Sequence, residues 1–139
     1  MNITEKILAR ASGKSTVSPD DIVFAKVDKV MVHDVSGPGV LKVFDKLQKQ
    51  GIDTSKLHDP TKVWIAEDHF VPSAEKISAE NIVKLSNFSK KYNIKKHFKY
   101  GMGQYGICHT LSHEEALVNP GDVYVGGDSH TNTTGALGA

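Results

Sequence analysis

Cysteine is nearly missing from this sequence: Cys108 is the one cysteine in 139 residues. A lone thiol cannot close an internal disulfide, so neither a disulfide-stapled scaffold nor an oxidising compartment is implied. Long apolar runs are missing too. Nothing approaches the roughly 20 residues that cross a bilayer, and the mixed-charge start Met-Asn-Ile-Thr-Glu-Lys lacks the apolar centre of a secretion signal. No sign of charge dominates, with 17 basic residues against 16 acidic and a net charge of +1. That balance offers no electrostatic footprint for nucleic acid or an anionic membrane. The pairs Lys90-Lys91 and Lys95-Lys96 read as solvated helix edges. Together these absences predict a cytoplasmic protein.

What is present fits one soluble globular domain, at 39% hydrophobic and 24% charged residues. A chain of this length can bury about two-thirds of its unfolded surface. Its last residues, Gly135-Ala-Leu-Gly-Ala139, form a small apolar run resembling the start of a buried helix. The expectation is that residues 1–139 are the amino-terminal part of a longer protein and an incomplete domain set.

Helices and strands alternate in the pattern. Thr4 is placed to cap a helix carrying Ile7, Leu8 and Ala11 on one face. Asp21–Val32 alternates as a strand that enters His33-Asp34. A helix is predicted over Val40–Gln50 with Gly51 as its terminator, a strand over Lys62–Ala66, and a helix over Ala79–Tyr92 capped by Ser78. Weaker strands are read at His97–Tyr100 and Asp122–Val125. The sum is an α/β fold with a mainly parallel sheet flanked by helices, in which ligands gather beyond the carboxyl ends of strands.

Four segments carry chemistry at such positions. Asp68-His69 is either an acid that orients an imidazole and raises its pKa, or a turn-capping Asp beside a surface His. In Gly106-Ile-Cys-His109, the Cys and His could be nucleophile and base or metal ligands. Adjacent side chains seldom point the same way, so a buried structural Cys108 beside a functional His109 is preferred. Asp128-Ser129-His130 follows Gly-Gly and precedes Thr-Asn-Thr-Thr-Gly. It reads as a close-approach loop whose following helix amides could receive a carboxylate, or as an ordinary capped turn. His33-Asp34 is a loop pair that is either exposed or functional. His58, His97 and His113 are read as surface residues.

Taken in order, Val-Asp-Lys-Val-Met-Val-His33-Asp34, Ala-Glu-Asp68-His69-Phe-Val-Pro, Gly-Ile-Cys-His109 and Gly-Gly-Asp128-Ser129-His130-Thr resemble the aconitase superfamily. Their spacing is similar to that of the compact large subunits of 3-isopropylmalate dehydratase and homoaconitase. The resemblance covers nearly the whole chain. It implies a hydro-lyase that moves a hydroxyl between adjacent carbons of a di- or tricarboxylic acid, with a 4Fe–4S cluster as Lewis acid. By motif match, Asp68 and His69 resemble the pair that protonates the departing hydroxyl. His109, Asp128 and His130 resemble the network around the iron-bound water and hydroxyl. Ser129 resembles a residue that binds a substrate carboxylate, and His33 stands where relatives present Gln or His to the substrate.

Two departures accompany the match. Thr-Asn-Thr-Thr-Gly lacks the further His that many isopropylmalate-type relatives carry before the Gly. The cluster-ligating cysteines of the family are absent from this chain, and Cys108 resembles its non-ligand cysteine, so no residue here is assigned to metal. The catalytic base is expected on a swivelling domain or small subunit. Two other readings remain: a non-catalytic binding or structural module of the same fold, and a mononuclear-metal hydrolase built from His69, His109, Asp128 and His130.

Overall fold

A computed structural model describes residues 1–139. Four strands form one parallel sheet in the order β3-β2-β1-β4. They are β1 (Lys29–His33), β2 (Val63–Ala66), β3 (Lys96–Phe98) and β4 (Tyr124–Gly126). The helices are α1 (Ile3–Ser12), α2 (Gly37–Lys49), α3 (Lys76–Lys91) and α4 (Cys108–Glu114), with short 3-10 turns at Pro60–Lys62 and Thr131–Leu137.

Alternating side chains of the central strands feed two cores. Val32 and Ile65 join Leu85, Phe88, Tyr92 and Ile94 on the side covered by α2 and α3. Met31, Trp64, Ala66 and Phe98 join Cys108, Leu111 and Leu117 on the side covered by α4. Val-Trp-Ile-Ala is apolar throughout because β2 is covered on both faces, as parallel strands are. Ile65 is fully buried, which is worth about 1.5–3 kcal/mol.

This topology places the site. The chain leaves β1 through α2 to β2 on one side, and returns through α4 to β4 on the other. The β1–β4 junction is therefore the switch point, where loops diverge and leave a crevice. His33 is the last residue of β1, and Gly127-Asp128 directly follow β4.

Local sequence explains most element ends, with corrections. Helix α1 is capped by Asn2, not Thr4, through a capping box with Glu5. Helix α2 begins on Gly37-Pro38, before Val40, because Pro is accommodated in a first turn and Gly37 lies against Leu85. Gly51 follows it at φ +79°. Helix α3 starts at Lys76, ahead of Ser78, and Glu75 occupies its cap position without a side-chain bond.

The Asp21–Val32 strand shrinks to Lys29–His33, since Ile22 and Phe24 are 90% and 97% exposed and pair with nothing. The helix read after His130 is a 3-10 turn with no side-chain cap. No helix is long and apolar enough to cross a membrane.

Candidate active site

The carboxyl ends of β1, β2 and β4 bring His33, Asp34, Asp68, His69 and Asp128 together, and α4 adds His109 from the side. Asp128 is the hub. One carboxylate oxygen accepts the His109 Nε2 proton at 2.8 Å and the His130 amide at 2.6 Å. The other lies 3.2 Å from His69 Nε2 and 3.7 Å from His33 Nε2. The His130 amide above all, with His109 and His33, outweighs burial and holds this carboxyl at about 2.

His69 lies between two acids. Its Nδ1 donates to Asp68 at 2.9 Å while Nε2 faces Asp128. Burial disfavours the imidazolium, but the bond to Asp68 and the charges of Asp68, Asp34 and Asp128 prevail, and the pKa rises. The ring remains 36% exposed, within reach of a ligand. Asp68 is lowered: burial pushes it up, yet the amide of Cys108 at 2.6 Å and His69 hold the carboxylate charged. That same bond caps α4, whose own cap residue, Ile107, has no polar side chain.

His33 is only 1% exposed, and both ring nitrogens are engaged. Nδ1 accepts from the amides of Val35 and Ser36 at 3.1 and 3.4 Å, so Nε2 carries the proton and donates to the Gly127 carbonyl at 3.2 Å. Burial and the neighbouring His69 lower its pKa. The rings of His33 and His69 stack at 4.4 Å. His33 thus backs His69 from beneath, a setting that a loop position in the sequence does not suggest.

Ser129 and His130 form the open rim, with Ser129 Oγ 3.1 Å from His130 Nδ1 and the His130 side chain 77% exposed. Gly127 is needed for the approach of this loop: a Cβ there would lie 2.6 Å from Ser36 Cβ.

Asp34 is the residue that sequence inspection leaves without a role. Its buried carboxylate accepts the amides of Asp68 (3.4 Å), His69 (3.1 Å) and Phe70 (2.6 Å), shaping the loop that presents His69. An Asp following a strand-end His is its only signal.

His97 corrects its surface reading. Its side chain is 4% exposed and donates from Nε2 to Glu67 at 2.9 Å. His58 and His113 are exposed as expected.

Donor atoms of His109, Asp128 and His130 lie within 4.8 Å of one another, close enough for a metal. The nitrogen of His109 nearest Asp128 is committed to that carboxylate, and His33 is committed to backbone. His109-x-x-x-His113 is a metal-ligand spacing as well, but His113 turns Nδ1 to the His109 carbonyl at 2.6 Å. Cys108 is 1% exposed, and burial with Asp68 and Asp128 nearby pushes its thiol far up.

A hollow of about 430 Å³ lies between α2 and α3 and touches none of these groups. A second, about 410 Å³, is bordered by His69, Phe70, Glu75 and Asn81, and so reaches the cluster at His69.

The comparisons with known proteins agree with this geometry. The pattern of the Aconitase family (aconitate hydratase) matches residues 5–139. The chain is 44% identical over 139 residues to a protein of Caldicellulosiruptor saccharolyticus, covering 100% of this chain and 31% of that protein. It is 45% identical to one of Aquifex aeolicus, with 100% and 30% covered, and 42% identical to one of Thermodesulfovibrio yellowstonii, with 100% and 31% covered. Each of these relatives carries the name 3-isopropylmalate dehydratase large subunit. The chain spans less than a third of their length. With the family pattern running through almost every residue and the motif side chains gathered at one switch point, this chain belongs to the aconitase family.

Proposed function

We propose that this chain is the proton-donating and substrate-holding wall of an iron–sulfur-dependent hydro-lyase. Its reaction moves a hydroxyl between adjacent carbons of a 2- or 3-hydroxy di- or tricarboxylic acid. The observation that carries the reading is His69, partly exposed, with Nδ1 on Asp68 and Nε2 facing Asp128. Two carboxylates stabilise its cation, and the Nε2 proton on the Asp128 side can pass to a departing hydroxyl bound there. The relatives' names support 3-isopropylmalate as substrate, with homoaconitase chemistry as the neighbouring possibility.

Other residues divide the remaining work. Asp128 aims His69 and His109 at one point and keeps both within hydrogen-bond reach of a bound oxygen. Ser129, on the open rim, donates to a substrate carboxylate, while His130 joins His109 and Asp128 around the bound hydroxyl. His33 holds the plane of His69 and, through Gly127, the position of Asp128.

The cofactor of such an enzyme, a 4Fe–4S cluster, fits this chain only as a neighbour. The single cysteine is buried and held as a thiol, so thiolate ligands come from elsewhere. When bound, the cluster supplies Lewis-acid polarisation of the hydroxyl. The carbon-proton base, the remaining domains and a small subunit with a swivelling domain are assigned outside residues 1–139. A cytoplasmic location belongs to the same proposal.

A chimera tests this reading. The chain replaces the matching portion of one relative's large subunit, which is assembled with its small subunit and reconstituted anaerobically. Isopropylmalate dehydration is then expected, and His69→Ala in the chimera lowers turnover by about 10²–10⁴-fold, far more than it disturbs folding. An assembled chimera indifferent to His69→Ala refutes the proposed role.

A further inference from the structure

Glu67 and His97 stand apart from the imidazole–carboxylate cluster, and the proposed reaction gives them nothing to do. Their side chains are 5% and 4% exposed, and His97 Nε2 donates to Glu67 Oε1 at 2.9 Å. Burying an acid and an imidazole is costly unless each finds a partner. Nδ1 of His97 faces none, so the ring donates only toward Glu67. The other Glu67 oxygen accepts the amide of Tyr100 at 3.2 Å.

The next residue makes a matching contact. Asp68 accepts the amide of Cys108 at 2.6 Å. Successive carboxylates at the end of β2 therefore grip the two ends of one segment, Tyr100 to Cys108. That segment contains no helix or strand before α4, includes Gly101 and Gly103 at φ +74° and +86°, and exposes 74% of Met102. Within it Tyr100 packs edge-on against Tyr105 at 5.0 Å. A segment with so few contacts of its own is placed by its anchors.

We propose that Glu67, seated by His97, is a positioning residue for His69. By holding Tyr100, it holds the loop whose far end delivers the Cys108 amide to Asp68, and so keeps that carboxylate aimed at His69 Nδ1. The inference rests on the reading of Asp68–His69 as the proton donor. Glu67→Gln is the informative change. An amide offers one acceptor oxygen and one donor nitrogen, so it either opposes the Tyr100 amide with a donor or turns its NH2 to His97 and drives the ring proton onto the unpartnered, buried Nδ1.

The test is NMR on the full 139-residue chain. In Glu67→Gln the Cys108 amide exchanges about tenfold faster and His69 titrates closer to its ordinary value, while the Met31 and Trp64 amides keep wild-type protection. Wild-type behaviour at both Cys108 and His69 overturns the proposal. So does a uniform acceleration that includes Met31 and Trp64, because that reports plain stability. Should Glu67→Gln fail to fold, His97→Leu, which unseats Glu67, is measured against the same outcomes. A chimera that fails the activity test leaves these amide data standing, so the two ideas fail separately.

Discussion

The imidazoles of His33 and His69 stack with centroids 4.4 Å apart and planes 14° apart, although they belong to different strands' ends. Burial and the neighbouring His69 favour the neutral form of one ring; the bond to Asp68 and the charges of Asp68, Asp34 and Asp128 favour the cation of the other. A neutral ring beneath a charged one avoids the repulsion that two imidazolium rings would suffer.

The pair should titrate in opposite directions from the ordinary value of 6.5. Because the folded pKa of His69 is raised, its stabilising contribution is complete below 6.5 and is lost as pH rises through the folded value. His33 is lowered, so its contribution is present above 6.5 and is lost as pH falls through its folded value. Asp128 adds stability above 3.8 that is lost as pH falls toward about 2. Ring-proton NMR checks the two histidines and carboxyl-carbon NMR checks Asp128, and a single shared histidine pKa of 6.5 refutes the arrangement.

Asp34→Ala should be among the most destabilising single changes near the site. Three amides, of Asp68, His69 and Phe70, lose their acceptor at a position 2% exposed. Leaving such donors unsatisfied costs about 2–5 kcal/mol, to be read from urea unfolding midpoints. A loss below about 0.5 kcal/mol means water or a neighbour replaces the carboxylate readily.

Gly127→Ala should strain the switch point. Its Cβ would meet Ser36 Cβ at 2.6 Å, and Cβ atoms leave only by moving backbone. The expected penalty is about 1–3 kcal/mol, partly recovered in the double variant with Ser36→Gly. Additive losses in the double variant show that Ser36 is not the obstacle.

Cys108 should resist alkylation in the folded chain. It is 1% exposed, and burial together with the Asp68 carboxylate keeps it a thiol. At pH 8 iodoacetamide labelling is expected only after denaturant unfolds the protein, as mass spectrometry would show. Rapid native labelling contradicts the buried setting.

Much of the architecture was legible in one dimension. Val-Trp-Ile-Ala, the apolar positions of α3 and the Gly51 stop depend on local periodicity and backbone freedom, which neighbours in sequence carry. The α1 capping box was present in Asn2 and Glu5 as well, though Thr4 offered a competing cap. Alternation over Asp21–Asp28 misled, because a strand exists only where another strand supplies its hydrogen bonds, and none lies beside Phe24.

The sequence by itself determined the α/β character, the placement of Asp68-His69 and Asp128-Ser129-His130 at loop positions after strands, and the poverty of thiol ligands. Only the tertiary structure decided that His33 lies beneath His69, that Asp34 shapes the Asp68–Phe70 loop, and that His97 is buried against Glu67. These contacts join residues about 30 or more positions apart, across parallel strands whose order no local pattern encodes. Hydrogen-bond partnership and burial are properties of the packed sheet, and they settle what each histidine can do.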